Sequence, residues 1–192
     1  MPRIASIEVR ALGPDVERFR YTSFQDEVYT TTTLVQITDD GGTVGLGAYD
    51  SDSYGDWDRS PLETLRTIVP RLVDTDPDDH DAIATLLSED GTSPFPPAVR
   101  STIDMACWDL AARRAGQPLH TVLGGDPGST SLPAYASVPT FDEPDAYLEA
   151  IEGYVAQGFT AIKVHAWGVP ARDADLLRAV RARFGSLILM HD

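Results

Sequence analysis

The first part of the chain alternates hydrophobic and polar positions as β-strands do. In the segment RIASIEVRAL, residues 3–12, Ile7 and Val9 alternate with Ser6 and Glu8, and a period of two residues is typical of a half-buried strand. Two further segments, rich in β-branched residues or glycine and separated by the turn signal DDGG, have strand character: residues 29–38 and residues 43–49. The pattern predicts a three-stranded antiparallel meander.

After the predicted meander, the apolar residues recur at the spacing of helices. Two amphipathic segments are indicated first, one starting near Pro61 and one at about residues 78–89. The third begins at Pro96-Pro97, places apolar residues at positions 99, 103, 106, 107 and 110, and ends at Gly116. A proline in the first turn and a glycine after the last are typical helix ends. We therefore predict that residues 1–125 form an α+β domain.

The pattern changes after residue 125 to strands that alternate with helices. Strands are predicted at residues 132–138, 159–166 and 187–192, and helices at residues 143–157 and 170–184. This alternation favours a parallel sheet with right-handed crossovers. A closed (β/α)8 barrel takes ~250 residues, so we predict that residues 126–192 are the start of an incomplete barrel and that the chain is the front portion of something larger.

Lys163 is the only lysine among the 15 basic residues of the chain. In the predicted strand FTAIKVHA, Lys163 and His165 point to one side and Ile162 and Val164 to the other. If the apolar pair faces the helices, the two basic side chains face the interior at the carboxyl end of a barrel strand, where barrel enzymes place their chemistry. A solvent-exposed strand edge is the alternative reading of the same spacing.

The chemistry of a lone lysine favours the first reading. A background that uses arginine elsewhere keeps lysine where arginine cannot do the same chemistry, and a lysine beside a second cation has its pKa lowered toward that of a general base. Asp192 ends the next predicted strand in the same sense. Its carboxylate is an oxygen ligand of the kind that Mg²⁺ prefers.

The composition of the chain argues against several classes of protein. The chain has 30 acidic and 15 basic residues and a net charge of −15, which disfavours binding to nucleic acid or to an anionic membrane. No apolar run approaches the ~20 residues of a membrane helix, and no secretory signal is evident, so we expect a cytoplasmic protein. The single cysteine, Cys107, excludes an internal disulfide and is expected to be a buried, inert thiol.

The segment RSTIDMACWDLAARRAGQPLHTVLGG, residues 100–125, resembles the helix that closes the capping domain in the mandelate racemase/muconate lactonizing branch of the enolase superfamily. The segment YVAQGFTAIKVHAWG resembles the second barrel strand of that family with its K-x-K or K-x-H pair, and LILMHD resembles the third strand. One departure is Ala48, where the family often has Glu. The resemblance spans essentially the whole chain.

The resemblance implies a capping domain over a (β/α)7β barrel that binds Mg²⁺ and removes the proton α to a substrate carboxylate, giving an enediolate. By position, Lys163 is the implied acid/base and Asp192 the first of three metal ligands. His165 replaces the second lysine and is implied to orient Lys163, to contact the carboxylate or to share the proton transfer. Aromatic residues of the segments that close over the substrate are implied to shape specificity: Phe19, Tyr21, Phe24, Tyr49 and Tyr54.

The implied function is that of an acid-sugar dehydratase acting on a small carboxylate, with homo-oligomerisation by family analogy. A racemase, epimerase or cycloisomerase on the same scaffold is one alternative, and a non-catalytic truncated or split product that acts only in assembly is another. The two remaining metal ligands and the acid/base of the opposite face belong to later strands of the family. We therefore expect the 192-residue chain alone to have little or no activity.

Overall fold

The computed structural model describes residues 1–13, 20, 29–53, 60–88 and 96–192, without the side chains of residues 29–31, 51–53 and 60–62. These residues form two compact units. The first contains the N-terminal strand and the segment Thr30–Thr130, and the second contains Arg20 and the segment Ser131–Asp192.

The first unit is built on an antiparallel sheet in the order β1-β2-β3, as the sequence predicts. Its strands are β1 (Ile4–Leu12), β2 (Tyr29–Asp39) and β3 (Val44–Ser53). The pairing of β1 with β2 shifts register between Ile4 and Ser6. The shift lets Ile4 join Ile7 and Val9 in the core although Ile4 and Ile7 are an odd number of residues apart.

The described residues of this unit also form the helices α1 (Ser60–Leu72), α2 (His80–Leu86), α3 (Pro97–Ala115) and α4 (Leu119–Val122). The predicted end of α3 is confirmed, because Gly116 takes a left-handed conformation with φ 63° and its N–H bonds back to the helix. The apolar positions of α3 are buried in one core with β1, β2, α1 and α2. The one-turn helix α4 was not predicted, since four residues are too few to show a periodicity.

Strand β3 packs directly against helix α3. Gly45 and Gly47, two residues apart, are buried and face the helix, whereas Leu46 between them is partly exposed. A Cβ atom on Gly45 would lie 2.6 Å from the Cβ of Leu110 and closer still to the carbonyl oxygen of Ala106. The absence of Cβ atoms at the two glycines therefore allows β3 and α3 to pack closely. The sequence pattern did not reveal this contact.

The second unit is a parallel sheet in the order β4-β5-β6, again as predicted. Its elements are β4 (Ala136–Val138), α5 (Pro144–Ala156), β5 (Ala161–Val164), α6 (Pro170–Arg183) and β6 (Ile188–His191). Strand β4 is shorter than predicted, and Leu132 and Tyr135 before it are exposed. Among the residues that the structure describes, no helix is long and apolar enough to cross a membrane.

Cys107 is fully buried in the core of the first unit. Burial, reinforced by the negative charges of Asp104 and Asp78, raises the pKa of the thiol from 9.0 to about 12. The thiolate is the reactive form, so at pH 8 its population falls from about 1 in 10 in an unfolded chain to about 1 in 10,000 in the folded one. We predict that alkylation of Cys107 is about 1,000-fold slower in the native protein than in urea, and equal rates would contradict a buried thiol.

Candidate active site

The carboxyl end of β5 separates apolar from basic side chains. Ile162 and Val164 are fully buried and belong to the core that β5 shares with α5 and α6. Lys163, on the other side of the strand, retains 26% of its side-chain exposure, and His165, just past the strand end, retains 15%. The alternation of the strand thus directs the two basic side chains away from the helices, as the sequence predicts.

Asp192 follows β6 and completes a cluster of three side chains. The pairing of β5 with β6 is parallel and places Lys163 opposite Met190, so both strands end at the same edge of the sheet. The Asp192 Oδ2 atom lies 2.5 Å from Lys163 Nζ, and its Oδ1 atom lies 3.5 Å from His165 Nε2. A cation, an imidazole and a carboxylate therefore meet at the carboxyl ends of two adjacent parallel strands.

The electrostatics of Lys163 differ from the sequence prediction. The expected effect was a lowered pKa caused by a neighbouring cation, but the hydrogen bond from Lys163 to Asp192 raises the pKa of the lysine, and the same bond lowers the pKa of Asp192. The prediction was wrong because the partner carboxylate is 29 residues away and its contact depends on the pairing of β5 with β6. In this arrangement Lys163 is an ammonium group and Asp192 a carboxylate.

His165 is held by residues of β4, of α5 and of the loop between them. Its Nδ1 atom lies 2.9 Å from the carbonyl oxygen of Val138. Its own carbonyl oxygen accepts hydrogen bonds from the hydroxyl of Tyr147 at 2.8 Å and from that of Thr140 at 3.1 Å. Neither Tyr147 nor Thr140 was predicted from the sequence. The helical spacing of Tyr147 with Ile151 was a usable signal, because it indicates burial and a buried tyrosine hydroxyl needs a partner.

The loop after β5 is fixed by a buried carboxylate of α6. Asp173 is 4% exposed and accepts a hydrogen bond from the backbone N–H of Trp167 at 3.1 Å. The Nε2 atom of His191 lies 3.9 Å from Asp173 Oδ2. His191 therefore faces α6 while Asp192 faces Lys163, which is the alternation expected at the end of a strand.

The donor set for a divalent cation is incomplete in these residues. Mg²⁺ takes six oxygen ligands in near-octahedral geometry. Across the described part of the chain, no group of three or more His, Cys, Asp or Glu side chains is placed to hold a metal ion. Asp192 offers one carboxylate, and both of its oxygens already face Lys163 and His165. These residues do not by themselves fit a magnesium site.

The aromatic candidates are placed only in part. Tyr49 belongs to β3 of the first unit and is half-buried. The others lie outside the described residues: Phe19, Tyr21, Phe24 and Tyr54.

The charged residues of the α3 signature are structural in this fold. The Nε atom of Arg113 donates to Asp109 Oδ2 at 2.7 Å, an i,i+4 pair on the surface of α3. The same oxygen accepts the backbone N–H of Leu46 at 2.8 Å and so links α3 to β3. His80 stacks on Trp108 with ring centroids 3.8 Å apart.

Comparison with known proteins adds a family and several relatives. Residues 6–124 match the pattern described as the N-terminal domain of mandelate racemase/muconate lactonizing enzyme. The cis-3-hydroxy-L-proline dehydratase of Roseibium aggregatum is 32% identical over 162 residues, covering 81% of this chain and 42% of that protein.

Solved structures agree with the sequence comparison. The L-talarate/galactarate dehydratase of Salmonella typhimurium LT2, liganded with Mg and L-lyxarohydroxamate, matches with a TM-score of 0.85 at 26% identity and covers 100% of this chain and 51% of that one. The dipeptide epimerase of Enterococcus faecalis V583, complexed with Mg and L-Leu-L-Tyr, matches with a TM-score of 0.83 at 25% identity, covering 99% and 53%. The chain thus spans about half the length of these relatives.

Proposed function

Because this chain belongs to the mandelate racemase/muconate lactonizing enzyme family of the enolase superfamily, we propose that it forms the front portion of an enzyme that removes the proton α to a substrate carboxylate. The most specific form of the proposal is an acid-sugar dehydratase. By the complete enzyme we mean these 192 residues together with the later barrel strands that its relatives carry. Residues 1–125 would be its capping domain and residues 126–192 the beginning of its barrel.

The observation that carries the proposal is the contact of Lys163 with Asp192 at the carboxyl ends of β5 and β6. A proton on carbon next to a carboxylate is very weakly acidic, so its removal needs a positioned acid/base and a stabiliser of the charge that develops on the carboxylate oxygens. Lys163 is the group proposed to exchange the proton with the α carbon. His165 lies beside it, close enough to the same carboxylate to share the site.

Mg²⁺ is the cofactor that we propose for the complete enzyme, and Asp192 is one of its proposed ligands. A divalent cation contributes several kcal/mol to the stabilisation of developing negative charge. The relatives with bound Mg support this proposal. Since a single carboxylate is too few, the 192-residue chain alone is proposed to lack activity, and the remaining ligands would come from the later strands.

The substrate proposal rests on two kinds of relative. Dehydratases acting on a hydroxyproline and on talarate/galactarate support a hydroxy acid that loses water after the α proton. The dipeptide epimerase supports the second candidate, in which the proton returns to the opposite face and no bond to oxygen breaks. A small carboxylate is common to both, and the proposed aromatic contacts of Phe19, Tyr21, Phe24, Tyr49 and Tyr54 would select among such substrates.

The test is proton exchange catalysed by the complete enzyme. We expect that, in D₂O with Mg²⁺, one compound from a panel of mono- and dicarboxylic sugar acids, hydroxyprolines and dipeptides exchanges its α proton for deuterium and loses water to give a 2-keto-3-deoxy product, as followed by ¹H NMR. Exchange with inversion but without loss of water would favour the epimerase. A well-folded complete protein that exchanges no α proton in the panel would favour the non-catalytic, assembly-only alternative.

A further inference from the structure

We infer that His165 acts through its Nε2 atom alone, because the protein holds its ring in the tautomer that carries the neutral-state proton on Nδ1. The assignment of a role at the reacting centre rests on the proposed function, whereas the tautomer itself does not. Three described residues hold His165: Val138 at the end of β4, Thr140 in the loop that follows, and Tyr147 in α5.

The two ring nitrogens of His165 face different partners. The Nδ1 atom lies 2.9 Å from the Val138 carbonyl oxygen, and a carbonyl oxygen can only accept a hydrogen bond. Nδ1 must therefore carry a proton whether the ring is neutral or charged. In the neutral ring the lone pair is then on Nε2, the atom that faces Asp192 at 3.5 Å. Hydrogen bonding at one ring nitrogen sets the protonation of the other. The hydrogen bond to the Val138 carbonyl therefore leaves Nε2 as the nitrogen that can interact with groups in the site.

Two hydroxyl groups hold the backbone of His165. Tyr147 and Thr140 both donate to the carbonyl oxygen of His165, so the backbone of the residue is fixed at its polar end. Tyr147 is fully buried and packs edge-on against Phe141 and Trp167, with ring centroids 5.1 and 5.4 Å away. Burial raises the pKa of Tyr147, so its hydroxyl keeps the proton that it donates. Tyr147 is therefore a positioning residue for His165.

The placement of the two ring nitrogens limits how His165 can act on a ligand. Nδ1 is held by the Val138 carbonyl oxygen, so Nε2 is the nitrogen that faces the site. Nε2 accepts a hydrogen bond when the ring is neutral and donates one when the ring is charged. A lysine at this position would only donate. The sequence alone had left the roles of His165 open.

The tautomer is tested by ¹H–¹⁵N long-range correlation NMR of the chain labelled with ¹⁵N-histidine. The chain has only 4 histidines, and the signals of His165 are identified by their loss in His165→Gln. At a pH where the ring is neutral we expect a protonated-type Nδ1 shift and an unprotonated-type Nε2 shift for His165. The opposite pair of shifts, or rapid averaging of the two tautomers, would overturn the inference.

The positioning role is tested by Tyr147→Phe in the complete enzyme, which keeps the aromatic packing and removes one donor. We expect kcat to fall about tenfold with KM within about twofold, as for a small misplacement of a reacting group. The matched control is Tyr154→Phe on the same helix, where the ring packs on Phe159 and kcat should not change. Unchanged kcat in Tyr147→Phe would overturn the positioning role. Absence of any wild-type activity would count against the proposed function and leave the NMR result standing.

Discussion

Replacing Gly47 by alanine is expected to destabilise the first unit by about 3 kcal/mol or more, the upper range for overpacking a core. A Cβ atom at this position would overlap the carbonyl oxygen of Thr102 and lie 3.0 Å from the backbone nitrogen of Ala106. Both atoms belong to the backbone of α3, which cannot rotate away as a side chain can. Relief requires β3 to move from the helix, and that would open the core that both elements share.

The measurement is urea unfolding of the 192-residue chain with Trp57 and Trp167 replaced by phenylalanine, so that the fluorescence comes from Trp108 on α3 of this unit. The matched control is Gly13→Ala in the same unit, where an added Cβ meets no atom of the described residues within 4 Å. This variant is expected to leave the midpoint unchanged or slightly higher. Gly45→Ala should behave like Gly47→Ala because its Cβ would overlap Ala106 and Leu110. Coincident midpoints for Gly47→Ala and Gly13→Ala would show that β3 and α3 are not in close contact.

The elements of both units could be predicted because their signals are local. Apolar spacing and a terminal glycine determine α3, and the i,i+4 spacing of Asp109 with Arg113 predicts their ion pair. The close approach of Gly47 to Thr102 could not be predicted, since it joins residues 55 positions apart and depends on how a helix lies on a strand. The strand ends were also imprecise: β4 begins only at Ala136, because the residues before it are exposed and unpaired with β5.

In the candidate site, too, the features that depend on neighbouring residues were predicted, and those that depend on distant residues were not. Alternation along β5 correctly placed Lys163 and His165 on one side and Ile162 on the other. The direction of the Lys163 pKa was wrong because it depends on Asp192, which only the pairing of β5 with β6 brings near. The supports of His165 are carbonyl and hydroxyl contacts across 18 to 27 residues, and no spacing rule relates such positions.

Lys163→Arg in the complete enzyme is expected to lower kcat about 1,000-fold, within the range that general acid–base catalysis contributes. The substitution keeps a positive charge at this position. Arginine can therefore pair with Asp192 in place of Lys163, whose Nζ lies 2.5 Å from the carboxylate in the wild-type chain. Arginine is not deprotonated in proteins, so it cannot cycle a proton to and from an α carbon. The proposed role of Lys163 requires that cycle, and a purely structural ion pair does not.

The measurement combines turnover with deuterium exchange at the α carbon and thermal unfolding. The matched control is Arg178→Lys on α6, the reverse substitution at a side chain that is 74% exposed and pairs with Asp175 one helical turn away. It should leave kcat and Tm unchanged. For Lys163→Arg we expect loss of both turnover and exchange with Tm within a few degrees of wild type. Full turnover in a folded Lys163→Arg enzyme would exclude Lys163 from the proton transfer, because an arginine in its place stays protonated near neutral pH and cannot accept the α proton.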